Sequence, residues 1–365
     1  MAYIDAIYAH AFNLLVEFGP SRLYKLGQYF GSFEQAFEAN EIQLIKSGIE
    51  PEIAKKFLQF RISINLSKEE EDLRKENIWL LTYKDKNYPK LLLEIPKLPP
   101  LLYVKGKLDD SEEACLAVVG TRKISNYGRT VTPQLIEPLI KSGLIIVSGM
   151  AYGVDEMVHE LSVQNGKRTI AVLGGGLDNK SIYPKNHQLL ADKILQANGA
   201  LISEYPIGIP NLRHHFVTRN RIISGLSLGT LVIECDLDSG SLITAKHALE
   251  QNRTVFAVPG PIYSEVSKGP NNLIKMGARL VTEANDILED LNLQKLEAEE
   301  EAQDLFGDTP EESAVIKILS REPISINEII KQSGLNTGQA TSALTFLEMK
   351  GKIRNLGGQQ YILSR

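Results

Sequence analysis

Cysteine is nearly absent: two residues in 365 are too few for a disulfide framework or a thiolate metal site, and Cys115 and Cys235 each read as a small residue in a buried strand. Long apolar runs are missing too. Nothing approaches the ~18 uninterrupted apolar residues of a membrane-spanning helix, so no membrane partner is expected. The opening Met-Ala-Tyr-Ile-Asp has no basic stretch ahead of an apolar segment, which makes the cytoplasm the default compartment. The six histidines form no H-E-x-x-H or comparable spacing, and no G-x-G-x-x-G opens a first helix, so neither a metal nor a nicotinamide or flavin cofactor is expected. An excess of positive charge is lacking as well, the net charge being −5. Its distribution matters more than its sum, because residues 291–312 hold eight acidic groups against Lys295 alone. The rest of the chain therefore carries +2, the difference between −5 and −7, which is compatible with a nucleic-acid ligand without arguing for one.

What is present is an ordinary globular composition, 43% hydrophobic and 23% charged, long enough for two or three units. Residues 1–66 carry apolar positions at helical spacing, punctuated by Gly19-Pro20 and Gly31-Ser32, and read as a small helical domain. Residues 67–110 hold a charged helix and two strand-like runs, Ile78–Tyr83 and Leu101–Val104, and read as an extension joining two domains. From residue 111 to 290 short apolar runs alternate with helical segments, the pattern of a parallel sheet covered on both faces. The strands are expected at Cys115–Val119, Leu144–Ser148, Thr169–Leu173, Ala200–Glu204, Gly229–Glu234 and Thr254–Val258, with helices between them such as Asn186–Ala197 and Val217–Leu226. The fold class is α/β, a doubly wound, mostly parallel, Rossmann-like sheet. An acidic linker, 291–309, leads to residues 310–365, where three helices followed by a hairpin make a winged helix.

In such a sheet the loops after the strand carboxyl ends meet on one crest. Five of them are rich in glycine or hydroxyl groups: Gly120-Thr121-Arg122-Lys123, Ser148-Gly149, Gly174-Gly175-Gly176, Asp236 to Ser241 and Pro259-Gly260. Glycine lets a ligand approach the backbone and exposes amide hydrogens, so phosphate is the natural ligand. After the fourth strand, Arg213-His214-His215-Phe216-Val217-Thr218-Arg219-Asn220-Arg221 offers an aromatic face for a base and guanidinium groups for phosphates. The same segment also reads as a helix start in which Phe216 packs into the core, the arginines bond carboxylates and Asn220 fixes loop geometry. Catalytic signals are weaker. Gly225-Leu226-Ser227-Leu228-Gly229 matches G-x-S-x-G but ends a helix instead of opening one. Glu204 and Glu234 end candidate strands taken as adjacent, and could serve as acid and base or as structural caps.

These segments resemble the DprA/Smf family. The matching phrases are VVGTRKISNYG (118–128), IIVSGMAYGVDEMVHE (145–160), TIAVLGGGLDNKSIYPKNHQL (169–189), GALISEYPIG (199–208), FVTRNRIISGLS (216–227), SGSLITAKHALEQNRTVFAVPG (239–260) and KGPNNLIKMGA (268–278). The resemblance implies a sterile-alpha-motif-like (SAM-like) helical domain before the Rossmann-like domain and a winged helix after it. It also implies a non-enzymatic protein that binds single-stranded DNA, forms a homodimer and loads RecA recombinase in natural transformation. By motif, Arg122 and Lys185 would contact phosphate or a base, with Gly120, Thr121 and Asn186 beside them. Phe216 would stack or shape the pocket, with Arg213 three positions before it. Arg219 and Arg221 would hold the strand or the pocket wall. Ser148, Gly149, Gly174, Gly240 and Ser241 would supply backbone or hydroxyl donors, and Lys246 falls in the same motif. Two positions depart from the family pattern: Tyr152 stands where Arg is usual and Val217 where Pro is usual.

The alternative within the same sheet type is a nucleotide-ligand sensor or nucleoside-monophosphate phosphoribohydrolase resembling the lysine-decarboxylase-like proteins. Those carry P-G-G-x-G-T before a glutamate, whereas this chain has Ser227-Leu228-Gly229-Thr230 before Glu234. A duplex-binding regulator is a third possibility, but Thr337–Met349 contains no Lys or Arg, which favours docking or packing over groove recognition.

Overall fold

The computed structural model describes residues 2–108, 114–293, 309–319, 323–350 and 352–363. The chain divides into two compact units, 1–291 and 292–365. The first opens with six helices, α1 (Ala2–Asn13), α2 (Pro20–Phe30), α3 (Phe33–Glu38), α4 (Glu41–Lys46), α5 (Pro51–Ser63) and α6 (Leu66–Lys75). Short side chains set their boundaries: Ser32, Asn40 and Asn65 each accept a backbone N–H of the following first turn. Then come β1 (Ile78–Thr82), α7 (Lys90–Leu93), β2 (Leu101–Gly106), β3 (Cys115–Val119), α8 (Asn126–Lys141), β4 (Ile145–Ser148), α9 (Val154–Gln164) and β5 (Thr169–Val172). The unit continues with α10 (Gln188–Gln196), β6 (Ala200–Ser203), α11 (Arg213–Gly225), β7 (Gly229–Val232), α12 (Gly240–Glu250), β8 (Thr254–Ala257), α13 (Lys268–Lys275), β9 (Arg279–Leu280) and α14 (Ala284–Asp290).

All nine strands form one sheet in the order β1-β2-β6-β5-β4-β3-β7-β8-β9. The neighbours from β6 to β9 are parallel, while β1 with β2 and β2 with β6 are antiparallel. The doubly wound, mostly parallel sheet is thus as expected. The two strands of the 67–110 extension are the antiparallel margin of this sheet. β3 is the middle one of the seven parallel strands, and the chain winds out through β4, β5 and β6 before α11 carries it back to β7 on the other side of β3. The order also corrects the pairing of Glu204 with Glu234. β5, β4 and β3 lie between their strands, a separation of ~19 Å at the usual strand spacing. An acid and base that far apart cannot share one substrate bond.

The period-2 alternation of strands splits the buried residues into two cores. Leu80, Leu101, Tyr103, Ala171 and Leu201 face one side, packed with Phe12, Phe18, Phe33 and Phe57 of the helical segment. Their immediate neighbours Leu81, Leu102, Val104, Ile170, Val172 and Ile202 face the other, with Ile222, Ile223 and Ala245 of α11 and α12. The helices of residues 1–66 therefore bury part of their apolar surface on the sheet. Among the described residues no helix is long and apolar enough to cross a membrane.

In α9, buried His159 donates from Nδ1 to Thr169 Oγ1 at 2.8 Å, because the Thr169 hydroxyl proton goes to the Ile146 carbonyl at 2.6 Å. Its other nitrogen is buried with no hydrogen-bond partner among the described residues. Burial, helped by the charge of Arg219, pushes the ring's pKa down to about 3. An unfolded histidine titrates near ~6.5, so stability from the neutral ring is complete above that value and is lost as pH falls towards the folded pKa. Denaturant unfolding should show the first unit about 2 kcal/mol less stable at pH 5 than at pH 7 from this group. His159→Gln is expected to flatten that slope, and an unchanged slope would refute the assignment.

The second unit, taken by itself, has helices Pro310–Ile316, Ile326–Ser333 and Thr337–Met349 and a three-stranded sheet made by Ile324–Ser325, Ile353–Gly357 and Gln360–Leu363. Thr309, Ser325 and Asn336 cap the helices. Val315, Ile316, Ile329, Leu344, Leu347 and Ile353 form its core. Residues 294–308 of the expected acidic linker lie outside the described residues.

Candidate nucleic-acid interface

Helix α11 begins at Arg213, four residues before the expected Val217. Its first turn is held by His215, whose Nδ1 bonds the Gly174 carbonyl at 3.0 Å and whose ring stacks on Tyr205 with centroids 4.0 Å apart. Arg213 and Phe216 consequently stand one turn apart at the crest, Arg213 exposed and Phe216 half-buried over Gly174. Two guanidinium groups flank the Phe216 ring, those of Arg122 and Arg219, each with Cζ 5.7 Å from the centroid. Tyr183 lies on a further side with its ring centroid 5.9 Å away. Lys185 and Asn186, expected in part within a long helix, occupy a separate 3-10 turn, Lys185–His187, and are exposed. The crest thus brings Arg122, Lys185, Asn186, Arg213 and Phe216 to the surface, from three different loops and turns.

Arg219 is the buried member of this set. Its guanidinium donates to the Gly149 carbonyl at 2.8 Å, to the Val172 carbonyl, and through Nε to Asn220 Oδ1 at 3.1 Å. Asp155, also buried, accepts from the Gly149 and Ala151 amides at 3.2 and 3.4 Å and attracts Arg219. Burial raises the Asp155 pKa, a shift opposed by Arg219. Burial lowers that of Arg219 to about 10, so the guanidinium stays cationic at neutral pH. A Cβ at Gly149 would overlap the Arg219 guanidinium, so the residue there must lack one.

Several expected donors are engaged inside the protein, which corrects the picture of an open backbone nest. The Gly149 amide is held by Asp155 and the Thr121 amide by the Glu234 carbonyl at 2.6 Å. The Ser148 hydroxyl donates to the Val118 carbonyl at 2.6 Å and the Ser241 hydroxyl to the Gly120 carbonyl at 2.8 Å. These groups lock the loops to one another because strand ends left unpaired in a buried crest would be costly. Gly240 opens α12, and its carbonyl accepts from Asn220 at 3.1 Å. Arg221 is buried against Glu204 at 2.6 Å, the carboxylate-bonded alternative that the sequence left open. Lys246 lies six residues into α12, about 9 Å along the axis from its start, with its side chain 75% exposed and 3.9 Å from Glu250. It is not gathered with Phe216. Glu234 is a cap, accepting from the Ser125 amide at 3.0 Å and from its hydroxyl.

Sequence reasoning missed Asp155, Tyr183 and His187. The first carried a usable signal, a carboxylate in the first turn of the helix that follows the Ser148-Gly149 loop. His187 carried none, since nothing local tells that its ring is buried, with Nδ1 3.0 Å from the Met150 carbonyl.

The site so built is cationic and aromatic, and known proteins share part of the sequence and fold that carry it. The family model of DNA recombination-mediator protein A matches residues 79–292 and that of the DprA winged helix domain residues 299–359. Protein Smf of Synechocystis sp. is 34% identical over 99% of both chains. The crystal structure of DNA processing protein A from Streptococcus pneumoniae is 35% identical with a TM-score of 0.66, over 77% of this chain and 95% of that one. A solved structure of DNA processing protein A from Helicobacter pylori, which concerns its single-stranded DNA binding mode, is 29% identical with a TM-score of 0.52, over 59% of this chain and 95% of that one. On the sheet with its crest, the match of the family model along it and a relative aligned over nearly the whole length, this chain belongs to the DNA recombination-mediator protein A family, DprA/Smf.

Proposed function

We propose that this protein binds single-stranded DNA across the crest, protects incoming strands there and loads RecA recombinase onto them during natural transformation, acting as a cytoplasmic homodimer without a catalytic step. The observation that carries the DNA-binding part is the half-buried Phe216 ring between the guanidinium groups of Arg122 and Arg219, with exposed Lys185 and Arg213 nearby. Stacking a base on an aromatic ring while cations take its phosphates is sequence-tolerant and suits a single strand. The Helicobacter pylori relative, described for its single-stranded DNA binding mode, supports the same ligand. The recombinase and the dimer rest on the family resemblance alone.

Titration of a fluorescent oligothymidine at two salt concentrations tests the proposal. Wild type should prefer it to a duplex of equal length and bind more weakly as salt rises. Arg122→Ala should lose about tenfold at low salt and flatten the salt dependence by about 0.7 in the log–log slope, as one lost phosphate contact on a single strand implies. Equal binding by both proteins would move the site off the crest. Length-independent affinity for a mononucleotide, with release of free base, would support the phosphoribohydrolase alternative instead.

A further inference from the structure

A second cleft adjoins Phe216 on the side of α8 and α9. It encloses about 630 Å³ and is lined by Arg122, Lys123 and Arg129 on one wall and by Tyr152, Glu156 and Glu160 on the other. Arg122 belongs to both sites, since its guanidinium also lies over the Phe216 ring. A second link runs through one short segment. Tyr183 meets Phe216, and four residues on His187 meets Tyr152 edge-on, with ring centroids 4.9 Å apart and planes at 77°. His187 is held through Nδ1, which donates to the Met150 carbonyl at 3.0 Å, while Nε2 lies 3.1 Å from Glu156 Oε1 without a hydrogen bond. Two aromatic rings on the same crest are therefore braced by one stretch of chain, with the exposed cations Arg122 and Lys185 on the route between them.

The cleft walls are also locked together. Gly153 stands at φ +83°, and a Cβ there would run into the Thr121 carbonyl. That close approach lets the Val154 amide donate to the same carbonyl at 3.2 Å, joining the β3 loop to the start of α9. Tyr152, one residue earlier, keeps 41% of its surface exposed. The charges are sorted across the cleft. Three cations line the β3–α8 wall, whereas on the α9 wall Glu156 turns towards His187 and the Gly153 amide at 3.4 Å, leaving Glu160 as the exposed carboxylate. A phosphate is drawn to the first wall and repelled from the second, which leaves the base to the Tyr152 side. The volume falls within the ~300–1,000 Å³ of small-molecule sites and has room for a nucleotide.

Resting on the DNA-binding function proposed above, we infer that this cleft is a second nucleotide subsite of the same strand, in which Tyr152 stacks a base, Lys123 and Arg129 take the adjoining phosphate, and Arg122 bridges to the Phe216 subsite. The test uses the full chain and a ladder of fluorescent oligothymidines, from lengths that reach only Phe216 to lengths that span both rings. Tyr152→Ala should bind the shortest oligomers as wild type does and lose about tenfold on the longer ones, with Tyr152→Phe restoring the affinity. The double variant Lys123→Ala/Arg129→Ala should flatten the salt dependence of the longer oligomers only, by about 0.7 per cation removed. Wild-type affinity of Tyr152→Ala at every length, or an equal loss at every length, overturns the second subsite. Phe216→Ala in the same ladder separates the two ideas. If it binds all lengths like wild type, the crest proposal itself fails; if it alone loses affinity, the crest stands and the cleft does not.

Discussion

Replacing Arg219 by methionine is expected to destabilise the first unit by about 3–5 kcal/mol, because two buried carbonyls lose a charged donor and buried Asp155 loses the cation that attracts it. The substitution strips the Gly149 and Val172 carbonyls of a donor and leaves Asp155 buried beside an apolar chain. The Asp155 pKa, already raised by burial, should rise further, so part of the lost stability returns on acidification as the carboxyl protonates. Urea unfolding of Arg219→Met, Asp155→Asn and the double variant completes the thermodynamic cycle. The double variant should be markedly less destabilised than the sum of the two, since neither charge is then left alone. Strict additivity would show that the two groups act separately. The same cluster sits under Phe216, so single variants that remain folded should also bind DNA more weakly.

Phe216→Ala is expected to lower single-stranded DNA affinity by one to two orders of magnitude, about 1–3 kcal/mol for one stacked base, while changing stability little. The ring is half-buried and stands outside both large cores of the unit, so its loss opens no closed cavity. Phe216→Trp should retain most of the affinity because a larger π face replaces the smaller one. Fluorescence anisotropy with an oligothymidine, alongside thermal unfolding, reads both effects. A Phe216→Ala protein that binds normally, or one that unfolds early and binds in proportion to its folded fraction, would give the ring a packing role only.

Much of the sheet was legible because its signal is local. Cys115–Val119 appears with the expected bounds, and the five other expected strands end within two residues of expectation, since an apolar run of four to six residues between glycine-rich turns has few alternatives; β9, only Arg279–Leu280, carries no such run and was not foreseen. Boundaries slipped where tertiary contacts decide them. α11 starts four residues early because His215 is clasped by the Gly174 carbonyl and Tyr205, partners 41 and ten positions away.

At the site, residue type announced the chemistry but not which side chains face solvent. Arg122, Arg213, Arg219 and Arg221 look equivalent in the sequence. The structure leaves the first two exposed, buries Arg219 under Gly149 and turns Arg221 to Glu204. Likewise, glycine and serine after each strand promised open donors, whereas the packed crest engages several of them between loops.

The sequence by itself determined the alternation of strands and helices, the crest on which the unusual loops gather and the basic and aromatic character of that crest. These follow from periodicity and turn chemistry, which act over a few residues. Only the tertiary structure decided that Glu204 and Glu234 lie far apart, that Asp155 and Arg219 hold the Gly149 loop from below, and that Tyr152 stands beside a second cleft. Those outcomes depend on strand order and burial, and both are set by contacts between segments tens of residues apart.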